Sequence, residues 1–172
     1  MGEILFSVPD LCTGCNRCAL ICSAIKEGEF RPSESRIHIN DFSLNGYSVP
    51  SICFQCPKPD CLEACPEKAI YKKEDEVVVI EKDKCNGCGD CVQACPYGMI
   101  EMDDNNRPLK CDYCGEQPAC VDECPTGALI FTEIDSEFRK NRGLQMQQRS
   151  KKGSPDHKRH QLGMNIMAFA RG

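Results

Sequence analysis

The chain has 172 residues, a net charge of −5 and 41% hydrophobic residues, and sixteen of its residues are cysteines while none is a tryptophan. The length fits one domain, or one domain with an internal repeat. One cysteine in about every eleven residues indicates a fold held together by disulfides, zinc or iron–sulfur clusters. The acidic balance argues against nucleic-acid binding as the main task.

The first residues, MGEILFSVPDLC, lack the basic n-region and the long apolar h-region of a secretory signal. No stretch approaches the roughly 18 consecutive apolar residues that indicate a transmembrane helix. We therefore expect a cytoplasmic protein without a membrane span. Because cytosolic thiols are kept reduced, this expectation disfavours disulfides.

The cysteines fall into four runs, each of which opens with C-x2-C and closes with C-x3-C. The gap before the third cysteine is two residues in runs one and three, four in run two and five in run four. A constant frame with one variable gap indicates an internal repeat. The runs are Cys12, Cys15, Cys18, Cys22 (run one); Cys53, Cys56, Cys61, Cys65 (run two); Cys85, Cys88, Cys91, Cys95 (run three); and Cys111, Cys114, Cys120, Cys124 (run four).

Short segments between the runs predict small secondary-structure elements. In chain order they are a helix over 19–26, a strand over 36–39 with a turn at Asn45-Gly46, and strands over 69–71, 77–80, 98–102 and 128–131, with a polar connector at 103–110. Brevity and β-branched residues favour strands in this pattern, and Asn-Gly favours a hairpin turn. Run one ends in Cys22-Ser23, whereas the other three runs end in Cys-Pro.

The charge changes sign near the C-terminus. Residues 1–132 hold 12 Lys+Arg and 22 Asp+Glu, a net charge of −10, whereas residues 133–172 hold 9 and 4, a net charge of +5. This last part shows no strong apolar periodicity and would bury little by itself. We predict an extended basic arm that wraps a partner, with a disordered tail as the alternative. His157 and His160, beside Lys158 and Arg159, indicate a solvated basic stretch more than an anion-binding site.

Run three reads C-x2-C-x2-C-x3-C-P, which is typical of [4Fe–4S] ferredoxins, and in that pattern the fourth cysteine ligates a different cluster from the first three. Zinc sites usually combine two C-x2-C pairs separated by a dozen or more residues, which does not explain the close third and fourth cysteines. Sixteen thiolates divide into four [4Fe–4S] clusters with none left over. A zinc-binding interaction module stays as the less favoured alternative.

The fourth-cysteine rule predicts which cysteines meet. Runs two and three are adjacent and should exchange their fourth ligands, which leaves runs one and four to exchange theirs. The predicted ligand sets are Cys12, Cys15, Cys18, Cys124 (set one); Cys22, Cys111, Cys114, Cys120 (set two); Cys53, Cys56, Cys61, Cys95 (set three); and Cys65, Cys85, Cys88, Cys91 (set four).

This pairing places one two-cluster ferredoxin unit inside another. We predict an α+β, ferredoxin-like fold of two nested pseudo-twofold units, built from small two-stranded sheets and short helices. The predicted ranges are 1–30 with 103–132 for the outer unit, 31–50 for an insertion, 51–102 for the inner unit and 133–172 for the arm. Such units pack around inorganic clusters more than around a large apolar core.

Several of the cysteine runs resemble those of a known family. Residues 111–128 (CDYCGEQPACVDECPTGA), with 53–61 and 91–98, resemble the four-cluster ferredoxin-like electron-transfer (beta-type) subunits of molybdenum and tungsten pterin oxidoreductases, such as dimethyl sulfoxide reductase, formate dehydrogenase and nitrate reductase. The resemblance covers about residues 4–132. In size and layout the chain is also similar to the small subunits of tungsten enzymes of the aldehyde oxidoreductase family, including class II benzoyl-CoA reductase. The resemblance implies the same cluster pairing and a role in conducting electrons.

These observations predict a subunit that is not an enzyme by itself. His38, His157 and His160 are scattered, and neither a GK[ST] phosphate loop nor a G-x-G-x-x-G turn is present. We expect the chain to relay electrons through four [4Fe–4S] clusters between a tungsten- or molybdenum-pterin catalytic subunit and a flavin subunit or soluble ferredoxin. The alternative is a free polyferredoxin carrier.

Two lysines, Lys84 and Lys110, each precede the first cysteine of a run. A cation at such a position would raise the reduction potential of the neighbouring cluster, because cluster potentials depend on nearby charge. The competing interpretation of each is a solvated surface lysine.

Overall fold

A computed structural model describes residues 3–115, 117–133, 136–150 and 152–170, with the backbone alone for 136–138 and 169–170. It is an α+β fold of small two-stranded antiparallel sheets and short helices, as predicted. The strands are β1 (Ile4–Ser7), β2 (His38–Phe42), β3 (Tyr47–Ser51), β4 (Ile70–Lys72), β5 (Val78–Ile80), β6 (Glu101–Met102), β7 (Pro108–Leu109) and β8 (Leu129–Thr132). The helices are α1 (Arg17–Glu27), α2 (Asp60–Glu63), α3 (Asp90–Ala94), α4 (Ala119–Asp122), α5 (Ser136–Gln147) and α6 (Pro155–Ala170).

The pairing of the strands nests one part of the chain within another. Strand β1, before run one, pairs with β8, after run four, in a register that places Ile4 opposite Thr132 and Ser7 opposite Leu129. Strands β4 and β5 form a hairpin between runs two and three. The helices follow the same scheme, since α1 packs against α4 and α2 packs against α3. The first and last runs are therefore brought together around the middle two.

Two cores correspond to these two units. The outer core contains Leu5, Ile37, Tyr113 and Leu129 together with buried cysteines of runs one and four. The inner core contains Ile70, Val78, Val92, Tyr97, Met99 and Ile100 together with buried cysteines of runs two and three. Cysteines are thus part of each core, which explains how a chain with few large apolar residues forms two of them.

The insertion forms the β2–β3 hairpin, close to the predicted strand and turn. His38 pairs with Ser51 and Phe42 with Tyr47, and Gly46 in the connecting loop has φ +73°. The other predicted strands are present over 70–72, 78–80 and 129–132. The strand predicted over 98–102 is limited to β6, because Gly98 has φ +69° and the Met99 N–H is bonded to the Cys95 sulfur.

The C-terminal segment differs from the predicted extended arm. Its described residues form α5 and α6, and both helices pack against the same chain. The buried side chains Leu162 and Met167 join the inner core and the hairpin, respectively. Lys158 and Arg159, expected to be solvated, are 3% and 4% exposed. Their charged groups bond to backbone carbonyls and, for Arg159, to the Glu101 carboxylate. The face of α6 that packs on the body is therefore partly charged, so the sequence shows no regular spacing of apolar residues there. Residues 134–135, 151 and 171–172 of the predicted arm lie outside the described residues.

Candidate cluster sites

The first two cysteines of every run are positioned by one left-handed residue. The residue before the second cysteine has φ +70° at Gly14, +46° at Gln55, +75° at Gly87 and +62° at Tyr113. A left-handed residue turns successive backbone N–H groups toward the inside of the loop, which suits a negatively charged group held there. Glycine makes this turn predictable from the sequence in runs one and three, whereas Gln55 and Tyr113 do not indicate it in runs two and four.

The third cysteine of every run is the second residue of a helix. Cys18, Cys61, Cys91 and Cys120 hold this position in α1, α2, α3 and α4, and each is only 7–8% exposed. The gap of two, four or five residues before it lies in the loop that precedes the helix. The variable gap therefore leaves the third cysteine of every run buried at the start of a helix.

The fourth cysteine of every run accepts a hydrogen bond from the backbone. The Ala69 N–H donates to the Cys65 sulfur and the Met99 N–H to the Cys95 sulfur, each at an N···S distance of 3.3 Å. The Cys22 sulfur accepts from the Arg36 N–H at 3.4 Å. Such bonds stabilise a thiolate, because they offer partial positive charge to the anion.

In run four, the fourth cysteine has a different balance of effects. Burial raises the pKa of Cys124, but hydrogen bonds from the Thr126 hydroxyl and the backbone of Leu129 hold that pKa below its usual value. Here the fold itself favours the thiolate form that iron requires.

Two cavities each bring together three cysteines of one run and the fourth of another. One cavity is lined by the four cysteines of set two, with Ile37 and Tyr113 beside them. The other is lined by the four cysteines of set three, with Tyr97 and Lys110 beside them. In both cavities the fourth cysteine comes from the predicted exchange partner.

The cysteines of the two remaining sets are close enough to influence one another electrostatically. Burial raises the pKa of Cys18 to about 12, with smaller contributions from Cys12, Cys15 and Cys124. Burial likewise raises the pKa of Cys91 to about 11, with Cys85, Cys88 and Cys65 contributing. In each case the contributing cysteines are the other three members of set one or set four.

The thiols suit a cationic cluster. All sixteen cysteines are free, and burial raises the pKa of Cys56, Cys61 and Cys111 to about 12, with neighbouring cysteines adding to the effect. Four buried thiolates repel one another unless positive charge lies between them, and iron supplies that charge. No three His, Cys, Asp or Glu side chains converge on a single-ion site within the described ranges, which include all the cysteines. A cubane differs from one zinc ion because it spreads its four thiolates over four iron atoms.

Shared runs and neighbouring cysteines link the four sets in the order one, two, three, four. Sets one and two share runs one and four, and sets three and four share runs two and three. The inner members of the two pairs are neighbours, because Cys53 is the largest contributor after burial to the raised pKa of Cys111. Cys15 of set one and Cys88 of set four are exposed, and the other fourteen cysteines are not.

The two lysines that precede a run have different environments. The Lys84 side chain is 59% exposed and pairs with Glu81. Lys84 therefore fits the competing interpretation of a solvated surface lysine. Lys110 is 8% exposed. Burial lowers the pKa of Lys110, but the nearby Cys53, Cys111 and Cys61 raise it, and the net shift is upward. Lys110 is therefore a buried cation among thiols.

Taken together, the runs, the left-handed loops and the cavities define a ferredoxin-like protein with sites for four [4Fe–4S] clusters, one that conducts electrons. The 4Fe-4S dicluster domain family matches residues 44–134, more than half of the sequence, and a 4Fe-4S binding domain matches residues 9–25. This protein belongs to the 4Fe-4S dicluster family and is of the kind that serves as the iron–sulfur electron-transfer subunit of molybdenum- and tungsten-type oxidoreductases.

Several relatives are subunits of oxidoreductases. The B subunit of the anaerobic dimethyl sulfoxide reductase of Escherichia coli is 35% identical over 154 residues, which cover 77% of this chain and 73% of the relative. The polyferredoxin-like subunit of the aliphatic sulfonate oxidoreductase of Pyrococcus furiosus is 39% identical, with 67% and 68% covered. The B subunit of the polysulfide reductase of Wolinella succinogenes is 35% identical, with 73% of each covered. These matches confirm the predicted family and support iron–sulfur clusters rather than zinc.

Among solved structures, one subunit of the active site complex BamBC of benzoyl-coenzyme A reductase aligns at 25% identity and a TM-score of 0.45, covering 84% of this chain and 88% of that one.

None of the helices in the described parts of the chain has the length and apolar character needed to span a bilayer.

Proposed function

We propose that this chain relays single electrons along a line of four [4Fe–4S] clusters between a tungsten- or molybdenum-pterin catalytic subunit and a flavin subunit or soluble ferredoxin, in the cytoplasm. The proposed ligands are sets one to four. When bound, each cluster supplies a site that gains or loses one electron with little rearrangement.

One observation carries this proposal: the two exposed cysteines belong to the first and the last of the four proposed sets. Cys15 belongs to set one and Cys88 to set four, whereas none of the cysteines of sets two and three is exposed. Electrons can then enter and leave near exposed loops, while the two middle positions are insulated. This arrangement suits a subunit with a redox partner at each end.

The crossed ligand sets can be tested by substitution in the anaerobically purified full chain. The wild type should contain about sixteen irons and a similar amount of acid-labile sulfide, as four cubanes require. Cys12→Ser and Cys124→Ser should alter the same electron paramagnetic resonance (EPR) signal, although these residues are far apart in sequence. Cys111→Ser should alter a different signal. If Cys124→Ser and Cys111→Ser changed one common signal instead, the exchange of fourth ligands would be refuted.

The partners require a separate experiment. Purification of the tagged full chain under anaerobic conditions should recover a large subunit in fixed stoichiometry, and metal analysis of that complex should find tungsten or molybdenum. Recovery of the chain alone would instead favour a free polyferredoxin carrier. That second candidate is favoured by α5 and α6, because both bond to the body of their own chain.

A further inference from the structure

The junction between the outer and inner ferredoxin units contains a buried ammonium group. Lys110 lies at the end of the connector that leads from the inner unit into run four. Its Nζ donates to Gln55 Oε1 at 3.1 Å, to the Val78 carbonyl at 2.5 Å and to the Cys111 carbonyl at 3.1 Å. These three acceptors are uncharged, and the Cys53 side chain also bonds to the ammonium group. No carboxylate is among the bonded partners of Lys110 in the described structure, so the acidic groups next to this charge are cysteine thiols of the cluster sites.

This ammonium group lies between two cluster sites that belong to different units. The Lys110 side chain lines the cavity of set three, beside Cys53 and Cys61. The next residue, Cys111, lines the cavity of set two. The fold therefore places one buried cation at the point where electrons would pass from the outer unit to the inner unit.

Gln55 holds the ammonium group in this place. Its Oε1 accepts hydrogen bonds from both the Val78 N–H and Lys110, and its Nε2 donates to the Cys111 carbonyl at 2.8 Å. The Gln55 carbonyl in turn accepts a hydrogen bond of 3.0 Å from Arg142 in α5. Gln55 thus links run two to run four, and its left-handed backbone is covered by the C-terminal segment.

We propose that Lys110 is an electrostatic bridge that raises the reduction potentials of two clusters at once, those held by set two and set three, and that Gln55 is its positioning residue. A fixed positive charge in a poorly solvated interior stabilises each added electron nearby. Raising both potentials together leaves the driving force for electron transfer between these two clusters unchanged, whereas a cation near one cluster alone would change it. This inference rests on the proposed assignment of the four sets.

The test is a redox titration of the anaerobically purified full chain, followed by EPR, with iron counted in the same samples. Lys110→Gln should lower two of the four midpoint potentials. At a fixed potential the ratio of reduced to oxidised cluster should fall about tenfold for each, which corresponds to about 59 mV for a one-electron couple. The other two potentials should stay in place. Lys110→Arg, which keeps the charge, should leave both midpoint potentials close to their wild-type values.

Lys84→Gln is the matched control, because Lys84 occupies the equivalent place before run three but is exposed and paired with Glu81. It should leave all four potentials unchanged. A second variant, Gln55→Glu, keeps Lys110 but sets a carboxylate against its ammonium group, and it should lower the same two potentials. If Lys110→Gln does not take up its clusters, Gln55→Glu tests the effect of the Lys110 charge on these two potentials.

The proposal is overturned if the variants with full iron content show no shift, a shift of one potential alone, or an equal shift of all four. A failure of the proposed function would look different. In that case the wild type itself would hold far fewer than about sixteen irons or would show fewer than four titrating clusters.

Discussion

The sulfur of Cys22 accepts its hydrogen bond from the backbone of Arg36, fourteen residues further along the chain. In runs two and three the equivalent sulfurs accept from a residue only four positions later. The difference follows from the sequence after the fourth cysteine. Cys65 and Cys95 are followed by proline, and the chain turns back at once, whereas Cys22 is followed by Ser23 and helix α1 continues to Glu27. The insertion therefore supplies the donor that the missing Cys-Pro turn would have provided.

Removal of this donor should lower one reduction potential. Arg36→Pro deletes the backbone N–H, and a cysteine sulfur that loses a hydrogen bond holds a cluster that is harder to reduce. We expect a fall of up to about 59 mV, equivalent to a tenfold change in the reduced fraction, in the set two cluster alone. A redox titration followed by EPR would measure it.

Arg36→Ala is the control for this prediction, because it removes the ion pair of Arg36 with Glu27 but keeps the N–H. An equal shift in the alanine and proline variants would assign the effect to the guanidinium group rather than to the backbone hydrogen bond.

Two glycines in equivalent turns should respond differently to alanine. Gly98 and Gly127 follow Cys-Pro in runs three and four, with φ +69° and +68°, so both substitutions cost about 1 kcal/mol in backbone strain. A Cβ on Gly98 would also lie 2.1 Å from the Pro155 carbonyl oxygen, whereas a Cβ on Gly127 would meet nothing within 4 Å. Gly98→Ala should therefore displace the start of α6, and Gly127→Ala should not.

Limited trypsin digestion with mass spectrometry would detect this displacement as faster cleavage after the buried Lys158 and Arg159. Similar cleavage rates in the two glycine variants would show that α6 does not rest on the turn of run three.

The docking of α6 should also depend on Arg159. Its guanidinium donates to the Gly98 carbonyl at 2.6 Å and to the Glu101 carboxylate at 2.5 Å, and the side chain is 5% exposed. Loss of one partner of a buried ion pair costs roughly 3 kcal/mol, because the other charge is left without compensation. Arg159→Ala should lower the local opening free energy of α6 by about that amount, measured by amide hydrogen exchange. Gln161→Ala, at an exposed position of the same helix, should have little effect, and equal protection in the two variants would contradict the prediction.

His38 should make the hairpin sensitive to mild acid. Burial, and secondarily the charge of Arg159, lowers the pKa of His38 to about 4, while Glu101 and Asp156 partly oppose this. Between pH 4 and the unfolded value of about 6.5, the folded state binds fewer protons than the unfolded state. The free energy of unfolding must therefore decrease as the pH falls through this window.

Between pH 7 and 5.5 we expect a loss of about 1 kcal/mol that depends on His38. Hydrogen exchange of the β2–β3 hairpin, corrected for intrinsic exchange rates, would report it. His38→Gln should remove this component. If the free energy of opening had the same pH dependence in the wild type and the variant, protonation of His38 would not be the cause of the loss.

Much of the cluster chemistry could be predicted from spacing. Three cysteines of each predicted set lie within one run, so their separation along the chain largely determines whether they can meet, and the fourth-cysteine rule extends the prediction to the exchange between runs. The short strands of the middle runs were predictable for a similar reason, since Ile70 and Val78 belong to brief β-branched segments that lie beside those runs.

Other features were hidden because the residue type is misleading. Gln55 and Tyr113 adopt the left-handed conformation that glycine adopts in the equivalent positions of runs one and three, and neither is a residue that predicts such a turn. Surrounding contacts, rather than local preference, hold them in place.

By itself, the sequence predicted the four ligand sets and the approximate places of the short strands, because these depend on neighbours along the polypeptide. Tertiary structure alone decided that Lys110, Lys158 and Arg159 are buried and that the C-terminal segment folds onto its own body. Charged side chains are rarely buried unless the fold supplies hydrogen-bond or ion-pair partners for them. For Arg159 those partners are Gly98 and Glu101, about sixty positions earlier in the sequence, a separation that no local pattern records.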